Sequence, residues 1–258
     1  MSIIFNGTTL DSSANIKYNG TSLEKIVFNG VEVWSKAKAM PTKGQIINMG
    51  DKKYLVLKTS GNIAEVLAQY DCTTSQAFRT ELDTVTFTDG STGLKYADSD
   101  IDTLLNTTFY NSLSSSIKNA IVPKNITQDM WNMTYSQSMG VNYTYGVKLL
   151  GHDGIFSVLY GDHGTVPIGD RNIYALSATE IFEYLNVAVT DSNKIRDMFW
   201  KYEHNNIWLR SAGNYGDGVI FLYYNTKGFS SHVYSKTYAV RPAFQIDLSQ
   251  VNWNVLVL

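Results

Sequence analysis

Two apolar runs, Ile207-Trp208-Leu209-Arg210-Ser211-Ala212 and Ala239-Val240-Arg241-Pro242-Ala243-Phe244-Gln245-Ile246-Asp247-Leu248, decide how this chain is read. Their length and their content of β-branched and aromatic residues are those of core strands, and they are read as paired. Trp208 is expected in the core with its indole N–H satisfied. Arg210 and Arg241 sit inside the apolar runs, where a guanidinium is tolerated only as a fork of hydrogen bonds to carbonyls or carboxylates. Between the runs the chemistry changes. Residues 213–238 hold Tyr215, Tyr223, Tyr224, Tyr234 and Tyr238, interleaved with Asn214, Asp217, Asn225, Ser230, Ser231, His232 and Ser235. Tyr gives large rigid contact area at small entropic cost, and Asn, Ser and Gly give adaptable hydrogen bonds. The stretch therefore has the composition of a binding surface carried on a rigid frame. The alternative is a Tyr-rich sheet face without a partner.

The rest of the composition narrows the class. Of 258 residues, 44% are hydrophobic and 17% charged, a globular balance. The formal net charge is −2, so there is no basic excess to neutralise phosphates and a nucleic-acid partner is disfavoured. The one cysteine, Cys72, excludes an intrachain disulfide, and Asp71 beside it disfavours a thiolate. No apolar run approaches the roughly 20 residues that span a bilayer. Met1 to Gly7 lacks the basic and apolar regions of a signal peptide, so none is expected.

Three aromatic-Asn-Gly units, Phe5-Asn6-Gly7, Tyr18-Asn19-Gly20 and Phe28-Asn29-Gly30, open the chain. Asn-Gly favours the tight turns of β-hairpins, so residues 1–36 read as a small hairpin module that must pack or oligomerise to be stable. Residues 37–43, polar and ending near Pro41, read as a linker. The main domain is then 44–258. Within it Gln45–Met49 and Tyr54–Leu57 predict a strand pair around Gly50-Asp51, and Asn62–Tyr70 fits strand or helix. Ser99 caps a helix with acidic residues in its first turn, a second helix is read over Asn111–Ala120, and Ser177-Ala178-Thr179-Glu180 is a capping box. Strands follow at 207–210, 219–224, 229–234 and 239–246. Short helices followed by many strands predict an α+β fold.

Motifs of catalysis are scarce. Gly-x-Ser-x-Gly, the phosphate loop and His-Glu-x-x-His do not occur. His152-Asp153-Gly154 and Asp162-His163-Gly164 would hold a transition metal only if their loops converge, and both are also ordinary turn chemistry. The other two histidines are His204 and His232. Asp98, Asp100 and Asp102 alternate as in calcium loops, but Thr103 and Phe109 stand where the glycine and glutamate would be, so a capped helix start explains them better. The expectation is a non-enzyme without cofactor or metal.

The Trp208-Leu209-Arg210-Ser211 and Val240-Arg241-Pro242-Ala243-Phe244 segments resemble the ending of a bacterial and phage domain family of the C-type lectin fold, which includes the variable proteins of diversity-generating retroelements. Tyr96 to Ile101, Leu105 to Asn111 and Ala175 to Glu180 fit the same pattern, and the resemblance covers about residues 44–250. The aromatic-Asn-Gly units resemble N-terminal modules of phage tail and baseplate proteins. The resemblance implies short helices around twisted antiparallel sheets, preceded by the hairpin module. It implies a phage- or prophage-encoded receptor- or ligand-binding protein, carried on the virion tail or the bacterial surface. Carried over, the variable contacts are Asn214, Tyr215, Asp217, Tyr223, Tyr224, Asn225, Ser230, His232, Tyr234, Ser235 and Tyr238; Trp208, Arg210 and Arg241 are structural frame. Adenine mutagenesis of Asn-type codons cannot yield Lys, Glu, Gln, Met or Trp, and residues 211–239 hold Lys227 and Lys236 but none of the other four types. The implied partner is a bacterial cell-surface protein or glycan, with other tail proteins or a second copy engaged through residues 1–36. Two alternatives stand beside this reading. One is a structural virion or cell-surface module with an invariant face. The other is a metal-dependent enzyme of the formylglycine-generating type, which the single cysteine disfavours. The Glu-Pro-Asn and Gln-Pro-Asp loops of calcium-dependent lectins do not occur.

Overall fold

Turn chemistry sets the N-terminal unit, Met1–Met40. Strands β1 (Ile3–Phe5) and β2 (Thr8–Leu10), β3 (Lys17–Tyr18) and β4 (Thr21–Ser22), and β5 (Lys25–Phe28) and β6 (Val31–Ser35) form three antiparallel hairpins. Each hairpin is joined across one Asn-Gly pair, and those pairs themselves lie outside the described residues. The computed structural model describes residues 3–5, 8–10, 16–18, 21–23, 25–28, 31–35, 38–136, 146–150, 156–185, 197–199, 205–213, 217–224 and 228–256.

The second unit, Pro41–Leu258, begins within the 37–43 segment. Its elements in chain order are β7 (Ile46–Met49), β8 (Lys52–Ser60), β9 (Ile63–Ala68), β10 (Thr73–Ala77), β11 (Thr84–Thr86) and β12 (Thr92–Leu94), then α1 (Asp100–Leu104), a π-helical turn (Leu105–Phe109), α2 (Tyr110–Ser112) and α3 (Ser115–Ala120). They continue as β13 (Ile121–Val122), β14 (Lys124–Ser136), β15 (Gly146–Leu150), β16 (Phe156–Arg171), α4 (Ala178–Leu185), β17 (Ile207–Gly213), β18 (Gly218–Tyr223), β19 (Gly228–Val233), β20 (Thr237–Val240), β21 (Ala243–Asp247) and β22 (Trp253–Val255). The fold is α+β, mostly sheet with a few short helices. Among the described residues no helix is long and apolar enough to cross a membrane.

One sheet has the order β13-β21-β9-β8-β7-β22 and is antiparallel throughout. The Gly50-Asp51 turn joins β7 to β8 as the sequence predicts, with Gly50 at φ 63°. The ambiguous 62–70 segment is a strand because β9 lies between β8 and β21, with Ala64, Val66, Leu67 and Ala68 buried. The larger sheet runs β10-β20-β17-β14-β16-β15, with the β18–β19 hairpin attached to β17. β17 pairs antiparallel with β18 along one edge. Its other edge is parallel to β20 at Ile207↔Ala239 and to β14 at Met130↔Ala212 and Trp131↔Gly213. Every residue of β17 is buried, which accounts for an apolar run interrupted only by Arg210 and Ser211, both hydrogen-bonded.

Three expectations need correction. The two apolar runs are paired only at Ile207↔Ala239, in parallel. The second run breaks at Arg241-Pro242 into β20 and β21 in different sheets, since proline cannot donate to a ladder. The helix read over 111–120 is interrupted: Leu113 is extended, and Ser114 starts α3 afresh by accepting from the Ile117 N–H at 3.4 Å. The other helix starts stand as read. Ser99 Oγ accepts from the Asp102 N–H at 3.2 Å, and Ser177 and Glu180 exchange reciprocal bonds of 3.1 Å.

Candidate functional site

The site is built on β17. The Trp208 indole N–H donates to the Gln76 carbonyl at 2.8 Å, and the ring is 1% exposed. Arg210 donates from Nε to the Thr127 carbonyl at 2.7 Å and from Nη1 to the Ala175 carbonyl at 2.7 Å and Glu180 Oε2 at 2.6 Å. Lys124 Nζ bridges Glu180 Oε1 at 2.9 Å and Glu65 Oε1 at 2.7 Å, and the Tyr174 hydroxyl donates to Glu65 Oε1 at 2.7 Å. Burial would raise the Glu180 carboxyl, but Arg210 and Lys124 outweigh it and hold the group at about 2. Burial would likewise lower the Lys124 ammonium, and Glu180 and Glu65 outweigh it upward. Arg241 donates from Nε and Nη2 to Asp71 Oδ1 at 2.8 and 2.6 Å, and from Nη1 to the Phe199 carbonyl. These buried forks are the ones that two arginines in apolar strands demand.

On this frame β18 and β19 pair with Val219↔His232, Phe221↔Ser230 and Tyr223↔Gly228. Side chains alternate between faces along a strand, so Val219, Phe221 and Tyr223 share one face with His232. The other face points inward: Phe229 lies 5.0 Å from the ring of Phe182 on α4, which packs on Trp131. On the first face the Tyr238 ring stacks on Phe221 at 4.4 Å and 28° and lies 4.7 Å from Trp208. His232 stands 6.4 Å from Phe221 and 6.2 Å from Tyr238, and Tyr223 stands 5.9 Å from Phe221. Tyr223, His232 and Tyr238 are half-buried and form an outer aromatic layer over Phe221, which is 3% exposed. His232 Nδ1 accepts the Val233 N–H at 2.9 Å, so in the neutral ring the proton sits on Nε2. Burial, and next the nearby Tyr223, raise the Tyr238 phenol.

Asp217 is exposed ahead of β18, and its carbonyl accepts the Tyr234 N–H at 3.1 Å. Tyr234 is half-buried, and its carbonyl accepts the Phe78 N–H at 3.0 Å, so its backbone serves the frame. Tyr224 is half-buried just past β18, and Ser235 is exposed in the turn before β20. Ser230 lies in β19 opposite Phe221, its side chain outside the described residues. Asn214, Tyr215 and Asn225 lie outside the described residues, as do His152, His204 and the side chain of His163. Among the described residues no group of three His, Cys, Asp or Glu could hold a metal. Of the alternating aspartates, Asp102 takes Arg171 in a fork of 2.9–3.0 Å, and Asp98 turns the chain at φ 62°. Burial, and then Asp71, push the Cys72 thiol up to about 12.

Two residues of this site are not legible as such in the sequence reading. Phe221 is the floor of the layer, and the alternation Val219-Phe221-Tyr223 is the signal that would have found it. Asp129 accepts from Trp131 Nε1, from the Thr179 N–H and hydroxyl, and from the Ser211 hydroxyl, tying α4 to β14 and β17. A buried aspartate with four donors leaves no local pattern. A family described as a domain of unknown function (DUF6273) matches residues 158–248, which span the strands from β16 to β21, both frame arginines and the whole aromatic layer. No curated protein and no solved structure matches the chain.

Proposed function

We propose that Pro41–Leu258 is a ligand-binding domain of the C-type lectin fold, phage- or prophage-encoded, that presents a diversifiable surface from residues 213–238 to a receptor on the bacterial cell. The observation that carries this reading is the layer of Tyr223, His232 and Tyr238: three half-buried rings set over a buried Phe221 and Trp208. Rigid aromatics on a fixed support lose little entropy on binding and supply anchors, and the neighbouring Asn, Ser and Asp side chains supply adjustable polar contacts. Residues 1–36 serve as tether to other virion proteins or to a second copy. The protein is then a receptor-binding component of a tail or surface structure rather than an enzyme.

Titration of the labelled protein onto a panel of bacterial strains tests this. Saturable binding to a subset of strains is expected. Tyr223→Ala and His232→Ala should each weaken it by about tenfold or more, with melting temperatures within a few degrees of wild type. Unfolding in step with the loss of binding would move both rings into the core and overturn the reading.

A further inference from the structure

Asn205 and Asn206 lead into β17 and tie it to three distant parts of the chain. Asn205 Nδ2 donates to Asp71 Oδ2 at 2.9 Å. Asp71 is the partner of Arg241, and the two side chains are 2% and 1% exposed. Arg241 also holds the Phe199 carbonyl, so one buried ion pair engages both Phe199 and Asn205. Asn206 follows Asn205 directly. Its side-chain Oδ1 accepts the Tyr224 N–H at 2.9 Å, and its main-chain carbonyl accepts the Ala239 N–H at 2.9 Å. Tyr224 is the first residue past β18, and Ala239 lies in β20, at the border of the frame. One residue thus holds both ends of the stretch 224–239. Both bonds are made to backbone N–H groups, which every residue except proline carries.

We propose that Asn206 is a positioning residue for the binding stretch: it pins the backbone at Tyr224, where the chain leaves β18, to the frame whatever side chain stands there, so that side-chain identity alone sets specificity. The proposal rests on the reading of 213–238 as the binding stretch. A buried ion pair behind the pin means that diversification at 224 and beyond need not disturb the sheet.

Amide hydrogen exchange of the full chain tests this without any ligand. Asn206→Ala should accelerate exchange of the Tyr224 amide by at least about fivefold. The Ala239 amide, bonded to the main chain of 206, should stay within about twofold as an internal control. Asn206→Asp keeps an acceptor oxygen and should restore slow exchange at Tyr224. Tyr224→Ser in the wild-type background should leave protection of the 224 amide in place. Unchanged exchange at 224 in Asn206→Ala, general acceleration across the sheet, failure of the aspartate to rescue, or loss of protection in Tyr224→Ser would each overturn the proposal. None of these results touches strain binding by the aromatic layer, so the pin and the binding reading fail separately.

Discussion

At Glu180 the cap of α4 and the buried ion network meet. Its Oε2 takes the Arg210 guanidinium and the Ser177 N–H, and its Oε1 takes the Lys124 ammonium. The carboxyl is held at about 2, below its ordinary 4.5, so the folded state binds its proton more weakly than the unfolded chain does. The stabilisation is therefore complete above about pH 4.5 and is lost as the pH falls through 2, an amount of roughly 3 kcal/mol. Glu180→Gln should cost about 3–5 kcal/mol at neutral pH, because Arg210 and Lys124 lose a buried counter-charge. Urea melts should show the gap between wild type and Glu180→Gln closing between pH 5 and pH 2; a constant gap would contradict the assignment. The same scale separates frame from face among the aromatics. Trp208→Ala should cost about 3–5 kcal/mol, as for other fully buried large rings, whereas half-buried Tyr223→Ala should cost about 1 kcal/mol or less. Calorimetry of the pair checks this, and equal losses would dissolve the distinction.

Elements show what a sequence does and does not disclose. The starts of α1 and α4 are legible because a cap is local: Ser99 and the Ser177–Glu180 pair satisfy N–H groups two or three residues away. β17 is legible because burial on all sides requires a mostly apolar run. β9 is undecided from sequence, since Ile63 to Ala68 fits either period and only the flanking β8 and β21 settle it. The long β14–β16 pair goes unread because polar residues occupy buried positions of β14. Gln128 spends its amide on Tyr96 N and the Leu94 carbonyl, and Asp129 spends its carboxylate on α4 and Ser211, contacts 32 to 82 residues away in sequence. Tyr223, His232 and Tyr238 are legible in the sequence only as members of a Tyr-rich stretch, and their geometry depends on which residues β18 and β19 pair. Close approach between elements makes a further expectation. A Cβ on Gly164 of β16 would stand 2.1 Å from Thr88 Oγ1 and 2.6 Å from the Asp89 nitrogen. Gly164→Ala should therefore push the β11–β12 turn away and cost about 1–3 kcal/mol, with faster exchange of the Thr165 amide that Thr88 Oγ1 now accepts. A wild-type melting curve would show that the two elements do not touch in solution.

In the Pro41–Leu258 unit, fixed and changeable parts are joined by different kinds of bond. The frame is closed by side-chain interactions between distant segments: Asp71 with Arg241, Glu65 and Lys124 with Glu180, Asp129 with Thr179 and Ser211. Altering any of these strands a buried charge. The stretch 213–238 is held to that frame by backbone bonds, through Asn206 to Tyr224 and Ala239 and through the Tyr234 carbonyl to Phe78, and by the rings resting on Phe221 and Trp208. The half-buried and exposed side chains there can change at small cost in stability, which is what a diversified binding face requires, whereas the buried Val219, Ile220, Phe221, Leu222 and Phe229 belong with the frame. Deep sequencing of the 3′ end of the gene across a natural population, with a search beside it for a near-copy of that stretch, tests this claim most directly. The account predicts variation concentrated in codons 213–238, including Tyr223, His232 and Tyr238, with Trp208, Arg210, Phe221 and Arg241 unchanged and a matching template nearby. A uniform 3′ end without a template, or variation spread equally over frame and face, would contradict it.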